Sequence, residues 1–428
     1  MGYLLFAMIV SIIVGEFIPS LAKPLLFIAI GSGWLAAALV VSRVGVVQRI
    51  VVGVMMLVGI VALVVVNQRS GSAPWLTAVS QSLPLLTMIM SVGFLKRIAL
   101  RAISTDSKFP TGFKAYRDTA FTLAVFGGFI NISAVIIVAD RLSQRTALTE
   151  QSASLITRSF STCVNWSPFF AGLAVVISYA PSFSVQTVIL QGIPLTCVGL
   201  VLVLYMGWRQ RSELNEFHGF PVQWSSLWVP TLLALVVLGI RYTFESVGLL
   251  PVIAISALSV VASYLLLTEG LSKATHQLHS HITDDLPLSF NELILLLAVG
   301  VMAAGLVSWV ELNDVIWRPP PFNGASAMAV LAFMLVVALS GVHPVVSIAL
   351  VTSFLTPVQP NPELLATTLL FGWSLGTLAC PLSGLHLVVQ GRYGIPSFRG
   401  ATNQWLFVAV LFVLGSLWLQ ILAELHDL

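Results

Sequence analysis

Arg158 stands in Thr157-Arg158-Ser159-Phe160-Ser161-Thr162, within a run otherwise apolar enough to lie inside a membrane. An arginine at membrane depth costs roughly 2.5–3.5 kcal/mol even on the lenient insertion scale, so it needs an anionic or carbonyl partner. It can pair with an anion from solution, or cap carbonyls of its own broken helix and snorkel toward water. Just beyond it come Ser161, Thr162, Asn165 and Ser167, followed by Pro168. The same residue types recur as Thr377 and Ser383 on either side of Cys380-Pro381. They recur again as Asn131 and Ser133 in Gly127-Gly128-Phe129-Ile130-Asn131-Ile132-Ser133, and as His343 and Ser347 in Gly341-Val342-His343-Pro344-Val345-Val346-Ser347. Amide, hydroxyl and imidazole groups can donate hydrogen bonds to an anion. Together with freed backbone carbonyls their oxygens can also coordinate a cation such as sodium. The plainer alternative is that they satisfy backbone released by the prolines.

These residues lie in two versions of one stretch. Ser159 to Pro181 is a polar, proline-bearing interruption of an apolar segment, and Ser374 to Pro396 is another. Thr162 matches Thr377, Pro168 matches Pro381, Gly172-Leu173 matches Gly384-Leu385 and Pro181 matches Pro396, at offsets of 215, 213, 212 and 215 in a chain of 428 residues. Upstream, Gly127 and Ser133 stand six apart, as do Gly341 and Ser347. The chain therefore reads as two divergent copies of one unit. Interrupted helices at corresponding places in two repeats point to a binding site, because breaks at membrane depth persist only inside protein or along a cavity. The second half-helices, starting near Ser167-Pro168 and Pro381-Leu382, would offer unpaired N–H groups and a partial positive charge suited to an anion. Proline fits a first helical turn because its missing donor is not needed there.

Composition places these stretches in a bilayer. Charged residues are 9% and hydrophobic ones 57%, and the mean hydropathy is +0.98. No ordinary soluble domain shows so little polar surface to water. The net charge of +3 gives no basic footprint for nucleic acid. Cys163, Cys197 and Cys380 have no metal-ligand spacing and read as packing residues, so no cofactor is expected. The first apolar run follows no basic region and reads as a retained helix.

Runs of about 20 apolar residues, the length that crosses a bilayer, fall at 3–19, 24–42, 47–67, 75–95, 184–206, 225–244, 247–267, 290–312 and 404–424. The two interrupted spans, 149–180 and 364–395, bring the crossings to about eleven. Segments 119–142 and 326–357 carry Asn131 and His343 at their middles and read as re-entrant hairpins. Each would be two half-helices of ten or so residues, about 15 Å long. With the N-terminus in the cytoplasm, this arrangement puts fifteen Lys and Arg inside and four outside, with Arg158 in the membrane. If 119–142 crossed fully, Arg141 and Arg145 would fall outside, against the positive-inside rule. The expected fold class is therefore all-α integral membrane, with the C-terminus periplasmic. One extra helix (1–22) precedes repeat 1 (23–215) and repeat 2 (216–428). Within the repeats, 24–95 and 225–312 form a scaffold, and five crossings per repeat invert the second copy relative to the first. The charged 96–117 loop reads as an interfacial helix or a plain polar loop. His276 to Asp285 reads as a polar loop, and Trp317-Arg318-Pro319-Pro320-Pro321 as a stiff linker.

An extra helix followed by two inverted repeats, each with a hairpin before a broken helix, resembles the ion transporter superfamily, which includes the divalent anion/sodium symporters. The resemblance is architectural over nearly the whole chain. In the symporters each hairpin tip carries Ser-Asn-Thr, which contacts a substrate carboxylate and frames a sodium site. Here the first tip keeps Asn131 in Ile130-Asn131-Ile132-Ser133, while the second has Val342-His343-Pro344. The resemblance implies secondary active transport of a small anionic solute across the inner membrane, driven by sodium or protons, with hairpin units moving against a dimeric scaffold. The polar residues at the tips and breaks, Asn131, Ser133, Arg158, Ser161, Thr162, Asn165, Ser167, His343, Ser347, Thr377 and Ser383, are the expected solute site, and Asn131, Thr162 and Thr377 are the positions that could hold sodium. His343 or His386 could carry a proton; His343 at the tip fits that role better, and His386 reads as a packed helix residue. The alternative is a membrane enzyme or flippase acting on a lipid-linked substrate.

Overall fold

The computed structural model describes residues 1–98, 110–144, 147–180, 183–215, 217–220, 228–313 and 319–427. Arg145, Pro181, Trp317-Arg318 and half of the 96–117 loop (99–109) lie outside the described residues. Among those described, no strand forms; one isolated bridge joins Thr111 and His218. Among the described residues, eight helical segments are long and apolar enough to cross a membrane, and four more apolar helices are shorter. The protein is an all-α, multi-pass membrane protein.

By its contacts the chain divides into two compact units. The first comprises Met1–Ile103 and Ser225–Trp317. Its helices are α1 (Gly2–Phe17), α2 (Ala22–Val40), α3 (Val46–Ser70), α4 (Trp75–Ser80), α5 (Leu83–Gly93), α11 (Trp228–Thr243), α12 (Leu249–Glu269), α13 (Leu271–Ser280) and α14 (Phe290–Leu312). Helix α3 lies along α14 so closely that a Cβ on Gly59 would sit 2.7 Å from Met302 Cα, and one on Gly305 would meet the Gly59 carbonyl. Small residues let membrane helices approach backbone to backbone, where dispersion and hydrogen bonds replace the missing hydrophobic drive. Ser82 Oγ donates to the Leu296 carbonyl at 2.7 Å and the Gln81 amide donates to that of Gly300. The expected polar loop at His276–Asp285 is helical instead, with α13 continuing into a π-helical turn, His281–Asp285. Buried His281 packs on Phe94 with ring centroids 3.9 Å apart. Asp285 pairs with His281 at 3.2 Å, with Lys96 at 3.4 Å and with Arg97. These anchors hold the segment in helical form.

The second unit comprises Ser104–Trp224 and Arg318–Leu428. Its first stretch holds α6 (Gly112–Ile130), α7 (Ile132–Ser143), α8 (Glu150–Thr162), α9 (Ala171–Tyr179) and α10 (Val185–Arg209). Its second holds α15 (Gly324–Leu339), α16 (Pro344–Leu355), α17 (Pro362–Ala379), α18 (Gly384–Tyr393), α19 (Ser397–Thr402) and α20 (Trp405–Leu425). Helix α6 gives way to α7 at one residue, Asn131, at φ 49° and ψ −141°. Helix α15 gives way to α16 across Ser340–His343, with Gly341 at φ +91°. The first arms exceed the ten or so residues expected, at 19 in α6 and 16 in α15. For α6 the reason lies in the turn before it. Gly112 adopts φ +72° and its N–H bonds the Phe217 carbonyl at 3.0 Å, which starts the helix before its apolar part.

Candidate functional site

Both helices expected to break do so. Thr149 caps α8 by accepting from Ser152 N at 3.1 Å, and the helix ends at Thr162 in a 3₁₀ turn, Cys163–Asn165. Asn361 caps α17 by accepting from Leu364 N at 2.9 Å, and that helix ends at Ala379. The second half-helices begin at Ala171 and Gly384, later than the Ser167-Pro168 and Pro381-Leu382 starts expected from the prolines. The caps decide the register. Ser383 accepts from His386 N at 3.5 Å and so starts α18 with its own side chain. Phe170 occupies the matching place before α9 and has no such group. Asn131, from the first tip, supplies it: its Oδ1 accepts from Ala171 N at 3.2 Å, and its Nδ2 donates to the Phe169 carbonyl at 3.2 Å.

Several carbonyls freed by the breaks are met by side chains. Ser374 Oγ donates to the Ser161 carbonyl at 2.9 Å, and Thr196 Oγ1 to that of Thr162 at 3.0 Å. His386 Nε2 meets the Leu378 carbonyl at 2.8 Å. Helix α10 passes the first break at Gly192, where any Cβ would strike the Asn165 carbonyl. Several expected ligands have local partners. Ser161 Oγ donates to the Arg158 carbonyl at 2.8 Å, Thr162 Oγ1 to that of Ser159 at 2.7 Å, and Ser347 Oγ to that of Pro344 at 2.8 Å. Ser167 Oγ donates to the Gly128 carbonyl and accepts from Phe169 N. Of the three positions expected for sodium, Asn131 and Thr162 are thus engaged, whereas Thr377 Oγ1 is buried without a partner. Asn165 Oδ1 is buried and unpartnered too. Ser133, half-buried in the first turn of α7, makes no hydrogen bond among the described residues.

The second tip and the start of α9 meet at a residue that sequence reasoning missed. Trp373, buried in α17, stacks edge-on with His343 at 5.3 Å between ring centroids and 76° between planes. A Cβ on Gly172, in the first turn of α9, would lie 2.9 Å from Trp373 Cδ1. Asn131, Ala171, Gly172, Trp373 and His343 therefore form one connected cluster. The His343 Nδ1 accepts from Val345 N at 3.3 Å, capping α16, so the neutral ring carries its proton on Nε2. The available signal was position: Trp373 lies one helical turn before Thr377, a large ring with an N–H donor beside the second break.

Arg158 is engaged elsewhere. Its Nε donates to Gln404 Oε1 at 2.6 Å, one Nη to the Asn403 carbonyl at 2.7 Å, and the other approaches Met206 Sδ at 3.4 Å. The guanidinium also lies 5.6 Å from the Phe407 ring centroid. These partners belong to α10, α20 and the turn before α20, and none is a tip residue. The expected convergence of Arg158 with Asn131 and His343 is not made through any of these contacts, because protein acceptors at that turn take its donors first.

No protein-family model and no curated protein matches the chain. Among solved structures, the chain is similar to the crystal structure of the YdaH transporter of Alcanivorax borkumensis, with a TM-score of 0.52 and 11% identity over 80% of this chain and 85% of that one. At this identity the likeness is one of fold. That protein's structure is described as having an unusual topology.

Proposed function

We propose that the chain is a secondary active transporter of a small anionic solute, and that the solute binds at the Trp373 cluster. The carrying observation is that the second tip and the start of α9 meet at one indole, with the first tip's Asn131 capping that start. The donors there suit an anion: the His343 Nε2–H, the Trp373 indole N–H, and the first-turn N–H groups of α9 that Asn131 does not already hold, with their share of the helix dipole. Ser133, Asn165 and Thr377 add polar groups that lack protein partners. The fold likeness to a protein described as a transporter supports the same reading. In this reading the second unit carries solute by an elevator-like motion, the first stays fixed in the inner membrane as a homodimer, and a sodium or proton gradient drives the cycle. The inverted repeat follows from the charge bias of the loops.

Two measurements test this. Proteoliposomes should accumulate at least one of a panel of labelled short carboxylates, phosphate and sulfate when a sodium or pH gradient is imposed. No accumulation of any panel member above empty liposomes contradicts the reading. For orientation, Gln144→Cys should label from the cytoplasm and Ala325→Cys from the periplasm, in protein lacking its three native cysteines. Labelling of position 144 from outside contradicts the inverted repeat.

A further inference from the structure

His386 is 1% exposed and lies just past the second break, in the first turn of α18. Its Nε2 meets the Leu378 carbonyl at 2.8 Å. A carbonyl only accepts, so Nε2 carries the proton and Nδ1 of the neutral ring is a bare acceptor. That Nδ1 is buried and has no partner. Gly400 backs it closely enough that a Cβ there would lie 3.0 Å away. The ring lines a small cleft shared with Glu150, Ser154, Thr157, Asn403 and Gln404. An acceptor group placed against Nδ1 would set lone pair against lone pair, so the occupant must donate a proton. The cleft has room for a group of about water's size.

We propose that His386 is a proton-binding site, loaded at Nδ1 from this cleft, and that proton movement is coupled to transport there. A carboxylate nearby favours the charged form of a buried imidazole, and Glu150 lines the same cleft. Glu150 is itself held by Arg399 at 3.1 Å and Asn403 at 3.2 Å. The other ionisable groups on the packed elements are occupied or remote. Arg158 is bonded to Gln404, Arg392 and Tyr393 bind Asp140, and Glu363 lies at the far end of α17. The bond to Leu378 gives the proton a mechanical consequence. An imidazolium donates more strongly than a neutral ring, so protonation tightens the last turn of α17, where Thr377 precedes the bonded carbonyl. A gradient-driven proton would in this way change the second break.

The coupling rests on the transporter reading; the protonation does not. Nitrogen-15 histidine spectra of the full-length protein in lipid nanodiscs, with the His386 signal identified by His386→Gln, should show Nδ1 gaining a proton between pH 8 and pH 5. Glutamine at 386 keeps an N–H for the Leu378 carbonyl but cannot titrate. Glu150→Gln should reduce the protonated fraction at pH 6 about fivefold. An Nδ1 that stays bare throughout this range, or one indifferent to Glu150→Gln, overturns the protonation. In proteoliposomes, His386→Gln should keep solute exchange and lose accumulation driven by a pH gradient; unchanged accumulation overturns the coupling. If the wild type moves no panel solute, the transporter reading fails, and the titration still decides His386.

Discussion

Asn131→Ala is expected to reduce solute uptake by about a hundredfold, equivalent to about 2.7 kcal/mol. One side chain here serves two breaks in backbone pairing, accepting from Ala171 N and donating to the Phe169 carbonyl. Losing a helix cap costs about 1 kcal/mol, and leaving a buried carbonyl unmet costs about 1–3 kcal/mol more. The first turn of α9, which carries Gly172 against Trp373, would then lose its fixed position. Substitutions separate the contributions. Asn131→Gly accepts φ 49° without strain but loses both bonds, so its uptake should match that of alanine. Asn131→Asp keeps the acceptor for Ala171 N and should fall between. Uptake per folded molecule decides the order, with melting temperature measured alongside. Wild-type uptake by Asn131→Gly would show that the tip does not set the site.

Arg158→Ala should lower stability by about 2–4 kcal/mol, since the charged bond to buried Gln404 contributes about 1.5–3 kcal/mol and the one to the exposed Asn403 carbonyl adds less. The loss falls on Gln404, which also donates to Ser154 Oγ at 3.2 Å and to the Gly400 carbonyl at 2.9 Å. Helix α8 would loosen from the turn between α19 and α20. Arg158→Lys should recover less than half, because a point charge cannot serve Gln404 and the Asn403 carbonyl together as the planar fork does. The protein that does fold should transport within a few-fold of wild type. A stable Arg158→Ala protein with no uptake would instead make Arg158 a ligand of the solute.

How much was legible follows from what sequence encodes. Length and hydropathy mark membrane helices strongly, so α2, α3, α12, α14 and α20 fall within a few residues of the expected runs. Proline and glycine mark interruptions, so both breaks and both tips stand where expected. Their detail did not follow from the prolines. Which group caps α9 depends on Asn131, forty residues before Ala171, and a cap supplied from another helix leaves no local signature. The same holds for Arg158, whose cost at membrane depth was readable but whose partners, Asn403 and Gln404, lie far along the chain. Trp373 was hidden for the opposite reason: it looks like any apolar residue of a span until His343 and Gly172 are placed beside it.

The most direct test of the Trp373 cluster as the solute site is protection of Ser133→Cys, in protein lacking its native cysteines, from a membrane-impermeant thiol reagent. Ser133 is half-buried beside the Asn131 tip and makes no bond that its replacement would break. With a solute found by the uptake panel at saturating concentration, the labelling rate should fall at least about tenfold, which corresponds to about 1.4 kcal/mol of favoured occupancy. Labelling that proceeds at the same rate with and without a saturating, transported solute would contradict a binding site at the tips.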